Sequence, residues 1–444
     1  MSQYLTRKER LELGRQRRKQ MRRSDHSNWD PKLRKQSPSA LLRASLRGRV
    51  AALVPVKEER MAATPFAYFR GAVPVMAADL ALLPRTGIAN QLCGDAHVCN
   101  LGAYEGPDGR LLFDINDFDE TIVGPFEWDV KRMATSLILA GRTASVREGE
   151  CAEAALIFLD RYRRTMLRFS RMPVLEVIRH QVHRMGSFTT LAQIFAMAQR
   201  ATPVHNLERL TEIRDGRRIF RDQPPALRRV TGREARQVLH ALGTYTQSLL
   251  PERRSFLARY RPLEVAFKVV GTGSVGLRDY VVYLEGNGPL DPLFLQIKQA
   301  VASAYGDYLP ATASPTMHHG QRVIEGERAM QLQSDPFLGW TSMGANHYLV
   351  RQLNDHKAAI DVAHLRATTL QEYAAVSGEI LARAHARAGD CVLLAGYLGP
   401  SARFDEAIVR FAHAYADQTE ADWKSFLHER AARPAAGKHT TGKS

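Results

Sequence analysis

One stretch limits the fold more than any other. Residues 263–300, LEVAFKVVGTGSVGLRDYVVYLEGNGPLDPLFLQIKQA, alternate in polarity and are rich in Val, Tyr and Phe. Glycine-containing turns at 271–276 and 286–289 divide the stretch, which predicts three consecutive antiparallel strands. Most of the remaining chain has helical spacing: 64–83 (interrupted by Pro74), 125–144, 147–170, 173–200, 231–249, 319–333, 369–388 and 403–430. Short apolar runs at 89–93 and 111–115 read as buried strands around a polar turn, and HYLVRQLND, from 347, reads as one more strand. Helices in bulk with strands gathered in one run define an α+β chain. A length of 444 residues, 45% of them hydrophobic, suffices for two to three lobes. The expected division is a basic arm over 1–50, a helical lobe over 51–250, a small antiparallel lobe over 251–362, helices over 363–432 that complete the helical lobe, and a disordered tail over 433–444.

The formal charge is +16, and it is unevenly placed. Fifteen of the 62 Lys and Arg lie in residues 1–50, against four of the 46 Asp and Glu. Such an arm suits an anionic partner, whether nucleic acid, lipid or an acidic protein, and it equally suits a solvated helix lying on the surface. No apolar run approaches 18 residues, so no membrane span is expected. The charged N-terminus lacks a signal-peptide apolar region. Cys93, Cys99, Cys151 and Cys391 have no paired zinc spacing and no dense disulfide pattern, so the expected compartment is the reducing cytoplasm.

Chemistry concentrates in QLCGDAHVCNLGAYEGPDGRLLFDINDFDET, residues 91–121. Carboxylates and an amide crowd the end of a buried strand there, either coating a solvated turn or holding a metal. Asp95, His97 and Cys99 have ligand-type side chains, yet no second paired motif completes a tetrahedral set. Further on, Gly271, Gly273, Ser274 and Gly276 form G-x-G-x-x-G. A dinucleotide fold needs a helix after that motif, whereas LRDYVVYLEG reads as a strand. The turn is either an ordinary hairpin with Gly for positive φ or a flap whose backbone N–H groups approach phosphates. Lys298, in the apolar FLQIKQA, needs an anion if buried, and would otherwise snorkel from an edge strand. Glu325 and Glu327 on the next helix are candidate partners, with Glu325 preferred for its apolar flanks. Arg351, in LVRQLND, has the reach for a phosphate and equally suits a surface strand.

Taken together these segments resemble protein kinases, which place a glycine-rich flap before a strand Lys. GDAHVCN and NDFDE resemble the catalytic loop and metal turn of aminoglycoside- and choline-kinase-type enzymes. The resemblance implies ATP and Mg²⁺ as cofactors, Asp95 as the base or orienting group for the acceptor, and Asn100 and Asp117 as metal ligands. It implies Lys298, steadied by Glu325, on the phosphates, and Asp129 and His97 as structural support for the loop. Cys93 stands where kinases often have His. The order is also reversed, with the catalytic loop before the flap, so a kinase-like fold here would be circularly permuted. From RMAATPFAYFRGA to AYADQTEAD, over roughly 50–430, the chain also resembles the bacterial family named domain of unknown function 2252, which carries no established activity. The expectation is a phosphotransferase acting on an unidentified hydroxyl or amine. A nucleotide-binding pseudoenzyme, a metal-dependent hydrolase and a basic nucleic-acid-binding scaffold are the alternatives.

Overall fold

The alternating stretch forms the centre of a six-stranded antiparallel sheet. The computed structural model describes residues 5–433 apart from 107, 181–191, 193–195, 197–202, 270, 314–317 and 354–359. Its strands are β1 (Ala89–Leu92), β2 (Leu101–Glu105), β3 (Leu111–Ile115), β4 (Ile122–Pro125), β5 (Thr211–Arg214), β6 (Arg217–Phe220), β7 (Leu227–Val230), β8 (Arg261–Lys268), β9 (Asp279–Glu285), β10 (Pro292–Ala300), β11 (Gly339–Met343) and β12 (Asn346–Gln352). The large sheet has the order β11-β12-β10-β9-β8-β7, and β1–β4, β2–β3 and β5–β6 are separate pairs. The protein is mixed α+β, 55% helix and 17% strand.

β10 is an inner strand, buried from Leu293 to Ala300. Its side chains alternate between faces. Leu293, Leu295 and Ile297 pack with Val282, Tyr348 and Val350 and with Val238 and Tyr245 of the helix Gly232–Ser248. Phe294 packs against Phe220 and Tyr283 on the opposite face, which Gln296 and Lys298 share by the same alternation. An inner position gives Lys298 no edge to snorkel around, and its side chain is 3% exposed.

The helices Glu127–Thr143, Glu148–Phe169, Ala367–Ala388 and Arg403–Ala431 bury Leu137, Phe158, Ile380 and Phe411 in one cluster, to which β1–β4 contribute Leu92, Phe113 and Ile122. The apolar run at 64–83 is two helices, Pro65–Gly71 and Val73–Ala81, because Pro74 has no N–H and is tolerated only in a first turn. β2, β4, β5, β6, β7 and β11 are absent from the sequence expectation. Each has four or five residues, and TEIR, RRIF and LRRV have too few apolar positions to show a period. Of the helix expected over 173–200, residues 173–180, Ala192 and Ala196 fall among the described residues, and Val174–Arg179 is helical. Of the expected tail, only Arg433 does.

The basic arm is folded onto the body. The helix Arg7–Gln20 crosses the helix Cys391–Leu398 where Gly14 meets Gly396, close enough that a Cβ on either would enter the other helix's backbone. Arg18 donates to the carbonyls of Tyr397 (2.7 Å) and Gly396 (2.5 Å), and Arg23 to that of Leu398 (2.6 Å). These carbonyls lie in the last turn of that helix, where intrahelical donors run out and positive charge is favoured. Arg34 bridges Asp79 and Asp422, both at 2.7 Å. Among the described residues no helix is long and apolar enough to cross a membrane.

Candidate functional site

The loop after β1 is fixed by the helix that follows β4. Asp129, in the first turn of that helix, accepts from the N–H groups of Cys93 (2.8 Å) and Gly94 (3.0 Å), while His385 lies 3.3 Å from its Oδ2. Gly94 has φ +82°, and a Cβ there would overlap the Glu120 carbonyl. Asn100 donates Nδ2 to the carbonyls of Asp95 (2.9 Å) and Asp117 (3.0 Å), tying the loop to the acidic turn. With the amide nitrogen so used, its Oδ1 is the end with lone pairs for another partner.

Asp95 is held by a residue that the sequence reading overlooked. Arg132, fully buried, lies one turn beyond Asp129 and places Nε and Nη2 at 2.7 and 2.6 Å from Asp95 Oδ1. Its guanidinium also lies over the Phe69 ring, 4.2 Å from the centroid. Burial opposes ionisation of Asp95, but Arg132 and His97 outweigh it and hold the carboxyl well below the usual carboxylate range. The i, i+3 spacing of Asp129 and Arg132 was available as a signal, since both then share one helix face.

Lys298 reaches into the acidic turn. Its Nζ lies 2.5 Å from Asp119 and 3.9 Å from Asp117. Burial works against the ammonium, yet Asp117 and Asp119 prevail and raise its pKa. Glu325 is not its partner: it is exposed and takes a hydrogen bond from Gln321 (2.7 Å). Helical spacing turns Glu325 outward from the helix His319–Met330, whereas Glu327 is buried and its charge acts on Arg351. Arg351 donates to Gln296 (2.9 Å), which in turn donates to Asp279 (2.7 Å), the residue paired with Lys298 on β9. Burial pushes the Asp279 carboxyl up to about 6.

The glycine turn is positioned by residues at the end of the arm and just beyond it. Arg49 donates to the carbonyls of Gly273 (2.9 Å) and Val275 (2.6 Å), Lys57 to Gly273 (2.7 Å) and Thr272 (3.2 Å), and Arg60 to Gly271. In a trans peptide the N–H points opposite the preceding carbonyl. Drawing these carbonyls toward residues 49–60 therefore directs the amides of Thr272, Gly273, Ser274 and Gly276 the other way. Gly271 and Gly276 have φ of +68° and +91°, which glycine adopts without a steric penalty.

A cavity of about 130 Å³ brings these parts together, lined by Asp95, Asn100, Asp117, Gly271, Gly273 and Ser274 among others. His97 also lines it, whereas Gly276 and Lys298 border a separate small space and are not among the residues lining this cavity. The space is small for the ATP that the kinase resemblance implies. Ligand pockets for larger molecules run to roughly 300–1,000 Å³, and residues 271–274 of the tethered turn form part of this smaller one's lining.

By its sequence the chain belongs to a bacterial family described as an uncharacterized protein conserved in bacteria (DUF2252), whose profile matches residues 49–429. No curated protein and no solved structure matches the chain.

Proposed function

We propose that the protein is an ATP- and Mg²⁺-dependent phosphotransferase with a kinase-like, circularly permuted build, acting on a hydroxyl or amine. One observation carries this reading. Lys298 meets Asp117 and Asp119 beside a cavity that Asp95, Asn100 and a glycine turn also line, although these segments are far apart in sequence. In this reading Lys298 and Arg351 neutralise phosphate charge, and the turn amides receive phosphate oxygens. Asp95 orients the acceptor. Its pairing with Arg132 makes it a weak base, so orientation rather than proton abstraction is its role.

The residues fit Mg²⁺ in kind. Asn100 and Asp117 offer hard oxygens, and the Asp117 side chain is 43% exposed. No three His, Cys, Asp or Glu converge as a metal set among the described residues. Mg²⁺ is commonly held by one or two carboxylates together with substrate phosphates. Bound there, the ion would supply charge neutralisation to the phosphates. ATP itself requires the turn to lift, which the small cavity makes a condition of binding.

Thermal unfolding and calorimetry with ATP, with and without Mg²⁺, test the binding step. A ligand at 100 times its dissociation constant adds about 2.7 kcal/mol of stability. The absence of both a shift and heat, from folded protein, would sink the proposal. The Arg132 pairing also favours a second reading, a nucleotide-binding pseudoenzyme. Labelled ATP incubated with a metabolite pool separates the two, since only the enzyme passes label to an acceptor.

A further inference from the structure

The wall of the cavity beside Asp95 has two polar groups that the proposed phosphate site does not use. Arg70, in the last turn of the helix Pro65–Gly71, lines the cavity. Among the described residues its Nε is buried without a hydrogen-bond partner and its guanidinium makes no ion pair. The other cation on this wall, Arg49, is taken up by the carbonyls of Ser45, Gly273 and Val275. The acids are also engaged: Asp95 by Arg132, Asp119 by Lys298, and Glu120 by the Ala304 N–H at 2.6 Å. A partly buried guanidinium without an acceptor calls for an anion.

His97 supplies the second group. It is 4% exposed, lines the same cavity, and sets Nε2 3.5 Å from Asp95 Oδ2. A ring nitrogen facing a carboxylate carries the proton. Burial favours the neutral ring, against the opposing pull of Asp95. With Nε2 carrying the proton, Nδ1 is a lone-pair acceptor, and among the described residues it is buried with no partner. It suits a ligand O–H or N–H.

We propose that the Arg70–His97 wall binds a small hydroxy anion, with Arg70 taking its carboxylate or phosphate and His97 Nδ1 accepting from its hydroxyl. Size agrees, since about 130 Å³ approaches the roughly 150 Å³ cavity that encloses a six-carbon ring. Cationic acceptors are disfavoured by Arg70. Naming this anion as the acceptor rests on the phosphotransferase reading, but its binding does not.

Calorimetric titration without nucleotide tests the wall, using glycolate, acetate, ethylene glycol and inorganic phosphate. Glycolate should bind up to about tenfold more tightly than acetate, the worth of one hydrogen bond, and ethylene glycol should not bind. Arg70→Gln should weaken both carboxylates at least about tenfold, and His97→Phe should erase only the advantage of glycolate. Arg70→Lys, which keeps the charge, should fall between wild type and Arg70→Gln and is the variant read if the latter misfolds. Competition between phosphate and glycolate assigns phosphate monoesters to the wall, and carboxylate binding alone assigns hydroxy acids. Equal affinity for glycolate and acetate, binding unchanged in either Arg70 variant, or no anion binding to wild type would overturn the proposal. Glycolate binding that persists in protein giving no heat with ATP would leave the wall standing and remove the phosphotransferase reading.

Discussion

Arg132 changes what can be asked of Asp95. Asp95→Asn looks conservative from the sequence, yet it leaves a fully buried guanidinium without its carboxylate. Breaking one side of a buried pair costs about 3–5 kcal/mol, so Asp95→Asn and Arg132→Met should each lower urea stability by that order. The double variant should recover at least about 1 kcal/mol of the summed loss, and strict additivity would show that the pair is not coupled. Asp117→Asn is the cleaner probe, since its side chain is half exposed. It should leave stability within about 1 kcal/mol and weaken the Mg²⁺-dependent part of ATP binding. Undiminished Mg²⁺ dependence, measured by calorimetry, would remove Asp117 from the metal role.

At the scale of elements, the glycine turn is a β-hairpin loop held from outside the sheet. Lys57 is 2% exposed and donates to turn carbonyls; among the described residues it forms no ion pair, although Glu120 and Asp95 favour its charge from farther off. Burial first, and Arg49 second, lower its pKa from 10.5 to about 7. Between those values the unfolded chain binds more protons than the folded one, so stability rises with pH across that window. The penalty for burying the charge is complete below about 7 and disappears toward 10.5. Compared with Lys57→Met between pH 7 and 9, wild type should therefore gain up to about 1.4 kcal/mol per pH unit. A difference that stays flat with pH, measured by denaturant unfolding, would show that Lys57 titrates as an ordinary lysine.

Over the whole molecule, a segment that reads as an arm acts as a brace. The helix Arg7–Gln20 packs against Cys391–Leu398, and Arg10, Arg18, Arg23 and Arg34 make intramolecular contacts that draw on their charge. A side chain at Gly14 would enter the backbone of the partner helix. Gly14→Val should destabilise the fold by about 1–3 kcal/mol, as overpacking does. Limited proteolysis should then cut residues 1–36 ahead of the body. Cleavage rates equal to wild type would show that the crossing is not needed. A nucleic-acid scaffold would instead show salt-dependent DNA or RNA binding that is lost with this segment.

The sequence by itself determined the element types in the long periodic stretches, the three-stranded run with its glycine turn, and the spacing of Asp95, Asn100 and Asp117. Those features are local: alternation, turn chemistry and capping act over a few residues. Tertiary structure decided which charges meet. It chose Asp119 over Glu325 for Lys298, because Glu325 faces outward and β10 directs Lys298 toward the turn after β3. It placed Arg132 on Asp95 and set Arg49, Lys57 and Arg60 around the turn. Short edge strands such as β7 and β11 likewise exist only because the sheet offers them hydrogen bonds. Partner choice for a buried charge depends on the packing of distant segments. A single sequence records which residues need partners but not which residues supply them.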